Sequence, residues 1–343
     1  MPLFAIFFEV KMRFFERLGI LPQDAIFEEE DYFVWCSSLV RHADTYYLFY
    51  SRWKREYGFE AWVTHSEIAL ASSKQLFGRF RFEKVLFSKE ESNAWDRDCF
   101  HNPTVLQKDG KYYLYYMGNF GNGSFWDHRN HQRIGLAVAD HPMGEWKRLE
   151  KPLIDVSEDG FDCLMTSNPS VTELPDGRIA MIYKGVAKEK PLPAGGPVVC
   201  GMAFADSPEG PFRKTGIPVM KNPQHPWSVE DPFLFVEHQR LFALAKDFHG
   251  YFTGTGCTSL ALFESLDGVD FVPAEHPLAM ELKLPMRNGE MPVRRLERPQ
   301  IYFEDGIPKA LLLAVLPIEA GDDTEASRSF SVRLPILHTG EKE

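Results

Sequence analysis

The chain has 343 residues, 44% of them apolar, and a formal net charge of −11. That is enough apolar material for one large core or two small ones. The acidic balance argues against nucleic acid or an anionic membrane surface as partner, since both require clustered Lys and Arg, and no apolar run reaches the roughly 20 residues of a membrane helix.

The first segment, residues 1–32, is apolar from Pro2 to Val10 except for Glu9. No basic stretch precedes it, and Lys11, Arg13 and Arg17 follow where a small-residue cleavage site would stand. It reads as an extension whose Phe4, Phe7, Phe8, Phe14 and Phe15 cover the main domain or meet a second subunit in a homodimer.

From residue 33 to 343 the chain repeats itself. The first phrase is a short strand carrying Pro: His101 to Val105, Ser167 to Val171, Glu230 to Leu234 and Glu297 to Ile301. The four prolines are 66, 63 and 67 residues apart, and a copy without Pro runs from Trp35 to Leu39. The second phrase is a turn and an apolar strand, as from Asp109 to Tyr116. It recurs at Ala43–Tyr50, Asp176–Tyr183, His238–Ala245 and Asp305–Leu313. Asp-Gly between apolar runs predicts a hairpin, because Gly accepts positive φ. The third phrase is a strand of small residues leading through a turn to an aromatic, at Phe80, Trp146, Phe212 and Phe271.

Each unit of roughly 66 residues predicts three or four antiparallel strands. Five such units predict an all-β, five-bladed β-propeller with a short N-terminal extension, since a closed ring protects the sheet edges. No stretch beyond the first 20 residues sustains a 3.6 period. Each Pro is expected at the start of an innermost strand, where a missing N–H costs least. Pro191–Pro197 and Tyr251–Gly256 read as loops between second and third strands.

The innermost strands line the axis, so their beginnings gather distant residues at one funnel. The predicted lining is Trp35, His101, Asn102, Asn168, Glu230, Asp231, Glu297 and Arg298. Carboxylates brought into a cleft cost desolvation energy unless paired or used. Asp231 and Glu297 come from neighbouring blades, and Arg298 and Glu230 stand beside them as tuning partners. Asp96 aligns with Asp162 in the next repeat and reads as a repeated structural acid. Asp98 has no counterpart and is the functional candidate of that segment. Trp35, Trp53, Trp95, Phe125, Trp126 and Trp227 fall in loops or at strand starts, where rings stack on the apolar faces of sugars. His128 and His131 lie in a predicted loop without a third ligand at a standard spacing, so no metal is assigned. His101 is placed on the funnel as a sugar contact, an acid or a neighbour of an ion, and His249 is a weaker candidate. The five cysteines are scattered and odd in number, which suggests reduced thiols and a cytoplasmic setting.

These blade openings resemble the five-bladed propeller glycosidases of families 43, 32, 68 and 117, over residues from about 33 to 335. In family 43 an Asp that modulates a pKa precedes Pro, as in Asp231-Pro232, and the general acid lies in Glu-x-Pro, as in Glu297-Arg298-Pro299. The family's base Asp, before Pro in the preceding blade, corresponds to Asn168, and an amide cannot act as a base. The overall layout also resembles family 117, with its N-terminal extension used in dimers. The resemblance implies a glycoside hydrolase acting on an oligosaccharide by acid/base inversion. Glu297 would donate the proton, Asp231 would tune it and Asp98 would activate water. The catalytic set is then Asp98, Asp231 and Glu297; the substrate-binding set is Trp35, His101, Asn102, Asn168, Glu230, Arg298 and Trp126. No cofactor is expected, although a structural or funnel cation is compatible. The alternatives are a glycoside phosphorylase, using Arg294, Arg295 and Arg298, and a non-catalytic glycan-binding propeller.

Overall fold

The computed structural model describes residues 14–318 and 326–337. Five antiparallel sheets surround one axis, each running outward from an innermost strand. The first four are Tyr32–Phe87, Cys99–Arg148, Met165–Val219 and Val229–Met280, with four strands apiece. The predicted five-bladed propeller is the observed architecture. Hairpin turns follow the expected chemistry. Asp109-Gly110 and Asp305-Gly306 both hold positive φ at two successive residues, which matches the twist of the strands they join.

The fifth blade is closed by the other end of the chain. Its strands Gly289–Glu304, Ile307–Pro317 and Phe330–Pro335 are completed by Ile26–Phe27, which pairs with Val332 and Ser331. Phe14 packs into the core between the fourth and fifth blades with Phe235, Leu284 and Phe330. Phe4, Phe7 and Phe8 lie outside the described residues.

The core is not one ball but a series of layers between blades. Val34, Leu48 and Tyr50 of blade one meet Tyr302 and Leu312 of blade five. Phe49 and Leu70 meet Phe100 and Leu114 of blade two. Tyr115 and Leu136 meet Met181 and Tyr183 of blade three, and Ile182 and Met202 meet Leu234 and Phe263 of blade four. Each layer removes apolar surface from water at about 25 cal/mol per Å², so every blade depends on both neighbours. A polar clasp recurs at the same height. Tyr50 donates to Glu29, Tyr116 to Asp96 and Tyr183 to Asp162, at 2.7–2.9 Å. Arg52, Arg148 and Lys214 neutralise these three acids. Asp96 and Asp162 thus share the structural role their alignment suggested.

The prolines are placed differently from the expectation. They lie within the innermost strands, not at their starts, because each strand carries a bulge there. Pairing slips between Trp35 and Ser38, His101 and Thr104, Ser167 and Ser170, Glu230 and Phe233, and Glu297 and Gln300. A bulge leaves residues out of the ladder, so the missing N–H of Pro is harmless. The first extra residue of each bulge adopts positive φ: Cys36, Asn102, Asn168, Asp231 and Arg298, all between 51° and 55°. Asn and Asp tolerate this region; for Cys and Arg it is uncommon. Five bulges at one height aim five side chains at the axis.

Candidate active site

Those five residues are linked one to the next around the axis, from Cys36 to Arg298. The Cys36 thiol donates to Asn102 Oδ1 at 2.9 Å, and Asn102 Nδ2 donates to Asn168 Oδ1 at 2.8 Å. Asn168 Nδ2 donates to Asp231 Oδ1. Asp231 Oδ2 accepts the Arg298 backbone N–H at 3.3 Å, and the Arg298 guanidinium lies 3.8 Å from Asp231 Oδ1. All five residues are buried. The two amides therefore orient the one carboxyl of the ring.

Next to the ring opens a cavity of about 470 Å³. Its walls come from the start of the inner strands and from loops between second and third strands. It gathers Trp35, His101, Asn102, Asn168, Glu230, Asp231, Glu297 and Arg298, which the repeat had placed together. Trp53, Phe125, Trp126 and Trp227 also line it, joined by Phe59, Trp62 and Phe248. Trp62 belongs to the short helix Trp62–His65 and packs against His101 at 5.1 Å between ring centroids. Loop residues of this kind carry no repeat signal, which is why Phe59 and Trp62 escaped the sequence reading.

Two lysines complete the polar wall. Lys184 Nζ donates to Glu230 at 2.5 Å, and Lys246 Nζ donates to Glu297 at 2.5 Å while standing 3.9 Å from Glu230. Each Lys sits on the second strand of one blade and reaches the Glu on the first strand of the next. They occur at matching places in consecutive repeats, in Tyr183-Lys184-Gly185 and Ala245-Lys246-Asp247. That match is the signal by which they could have been found.

The acids are held in unlike states. Burial alone would raise the pKa of Glu230, but Lys184 and Lys246 overcome it and hold Glu230 down at about 2. Burial, reinforced by the Glu230 charge, pushes Asp231 up to about 7, against the opposing Arg298. The proton of Lys246 is secured by Glu297 and Glu230, which outweigh its burial and raise its pKa. His101 is buried, and burial, with help from Arg298 and Lys184, drives its pKa well below the ordinary histidine value. Its Nδ1 meets Ser66 Oγ at 2.7 Å and its Nε2 lies 3.5 Å from Cys36 Sγ. This neutral imidazole is a scaffold, not an acid.

Several expected positions are corrected. Asp98 does not line the cavity: its Oδ2 accepts the Gly121 N–H at 3.0 Å and so ties down the strand end. Trp95 is a packing residue, stacked on Tyr116 at 6.2 Å. The segment read as a loop around Trp126 is the short helix Phe125–Asn130. His128 there has both ring nitrogens engaged, by Asn119 Oδ1 and by the Gly123 N–H. Among the described residues no group of three His, Cys, Asp or Glu is placed to hold a metal.

The profile of glycosyl hydrolases family 43 matches residues 31–178. This span covers blades one and two and the inner strand of blade three; it ends before Asp231 and Glu297. Solved structures share the fold over nearly the whole chain. A family 117 glycoside hydrolase of the marine bacterium Zobellia galactanivorans superposes with a TM-score of 0.64 at 18% identity, over 95% of this chain and 91% of the other. A thermostable family-43 glycoside hydrolase gives 0.61 at 15% identity, covering 92% of each chain. These findings indicate a glycosidase. The arabinanase of Bacillus subtilis, with a TM-score of 0.58 and 14% identity over 90% and 95% of the two chains, shares this glycosidase's fold. No curated protein sequence matches the glycosidase.

Proposed function

We propose that the chain cleaves a glycosidic bond of an oligosaccharide in the axial cavity, with Asp231 and Glu297 as the acid–base pair. The observation that carries this reading is their unlike state. Asp231 keeps its proton to about neutral pH, whereas Glu297 bonds a lysine ammonium at 2.5 Å. A carboxyl group that keeps its proton beside a second carboxyl group held in an ion pair supplies one acid and one base. Asp231 then protonates the leaving oxygen while the Glu297 carboxylate takes a proton from the attacking water, which gives inversion. The order implied by the family 43 resemblance, with Glu297 as donor and Asp231 as tuner, leaves water without a base once Asp98 is tied to Gly121. Glu230, clamped by Lys184, positions Lys246 and takes no proton.

The aromatic wall of Trp35, Trp62, Trp126 and Trp227 supplies stacking faces for sugar rings. Screening aryl glycosides and plant or algal oligosaccharides identifies the substrate. On an oligosaccharide, whose sugar leaving group needs a proton, Asp231→Asn and Glu297→Gln should each lower kcat by at least ~10²-fold with little change in binding. Full activity of either variant on the oligosaccharide refutes the assignment. A second reading, phosphorolysis, is supported by the many cations on the cavity, and turnover that requires inorganic phosphate would select it.

A further inference from the structure

The charge of the cavity opposes that of the protein. Around it stand six cationic side chains and four carboxylates, in a chain whose net charge is −11. Four of the cations face an acidic partner: Lys184 faces Glu230, Lys246 faces Glu297, Arg295 faces Glu60 and, at 3.8 Å, Arg298 faces Asp231. The remaining two, Arg129 and Arg294, are arginines. Arg129 is buried, and its guanidinium donates to the Ala194 carbonyl and the Asn130 amide; among the described residues no carboxylate lies within ion-pairing distance. Arg294 is exposed at the rim, with no hydrogen-bond or ion-pair partner among the described residues. Arg298 is nearly fully buried, and beyond its ion pair to Asp231 its Nε and Nη1 have no hydrogen-bond partner.

A buried guanidinium with idle donors is costly unless something accepts from it. Neutral sugars need no such surplus of positive charge. A planar guanidinium matches a carboxylate or sulfate through paired, charge-assisted hydrogen bonds.

We infer that the cavity is built for an acidic oligosaccharide, whose carboxylate or sulfate group is held by Arg129 and Arg294, which have no carboxylate partner, together with the idle donors of Arg298. This rests on the glycosidase reading and names its substrate class.

The test is calorimetric binding to the full chain, in 20 and 200 mM salt, with matched probes. One pair is a uronic-acid disaccharide and its carboxyl-reduced form; the other is a sulfated disaccharide and its unsulfated parent. The acidic member of at least one pair should bind ~10-fold or more tightly than its neutral partner, with the advantage shrinking in high salt. Which pair shows it distinguishes carboxylate from sulfate. Arg129→Met and Arg294→Met, which spare the buried ring, should each reduce the advantage by ~3-fold or more, and Arg298→Met should do so if it folds. Equal binding of acidic and neutral members overturns the inference, as does an advantage that survives both Arg129→Met and Arg294→Met. Inorganic phosphate that binds the same arginines and drives cleavage of a neutral glycan also overturns it. Tight acidic binding without any cleavage supports the anion site and refutes the glycosidase reading. Cleavage with no acidic preference does the reverse.

Discussion

Replacing Lys246 with Met removes one buried ammonium while keeping most of the side chain's bulk. Glu230 retains Lys184 at 2.5 Å, so the loss falls on Glu297, whose short bond to Lys246 is its one ion pair among the described residues. Both partners are about seven-eighths buried. Breaking such a pair on one side costs about 3–5 kcal/mol, chiefly because the remaining charge is left uncompensated. Removing both charges leaves no orphan, so the double variant Lys246→Met/Glu297→Gln should lose much less than the sum of the single variants. Urea unfolding of the wild type, both single variants and the double variant forms a closed cycle. The expected coupling is at least about 2 kcal/mol. Strictly additive losses would show that Lys246 does not hold Glu297 as a carboxylate, and the proposed division of labour would fail with it.

Asp98→Asn should leave kcat within about twofold while lowering stability by about 1 kcal/mol, since it weakens one part-buried bond to Gly121; loss of turnover would return Asp98 to the site. Trp62→Ala should raise KM about tenfold with a smaller effect on kcat, measured by steady-state kinetics, because the ring forms part of the wall and not of the reacting pair. The pH dependence of stability has a definite sign. The carboxyl of Asp231 is raised from 3.8 to about 7 on folding, so its contribution is complete below pH 4 and is lost as pH rises towards 7. Glu230 is lowered from 4.5 to about 2, so its contribution is complete above pH 4.5 and is lost as pH falls towards 2. Asp231→Asn should therefore flatten the decline between pH 4 and 7, and an unchanged slope in chemical denaturation would contradict the raised value.

The ring was legible because its units recur every 66 residues or so, and a propeller writes its blade period directly into the chain. The same alignment placed Asp231, Glu297, Asn168, Asn102 and His101 around one cavity. What it could not show was the direction of side chains in loops. Asp98 stands three residues before His101, but the turn leading into the strand points its carboxylate at Gly121. Trp95 likewise faces Tyr116 instead of the funnel. Cross-blade pairs were hidden for another reason. Lys184 and Lys246 act on the next blade, so reading each repeat by itself misses them. The closing strand Ile26–Phe27 is only two residues long and carries no periodicity to be read. The bulges were signalled by Pro, but the signal was ambiguous, since Pro suits both a strand start and a bulge.

The most direct test of Asp231 as acid and Glu297 as base compares good and poor leaving groups on one sugar, with and without azide. Asp231→Asn should nearly match the wild type on a dinitrophenyl glycoside and fail on an alkyl glycoside, because a good leaving group departs without a proton. Glu297→Gln should fail on both, and azide, which needs no base to attack, should restore its cleavage of the dinitrophenyl substrate as a glycosyl azide. The opposite pattern, with Glu297→Gln spared by the good leaving group and Asp231→Asn rescued by azide, would contradict the account.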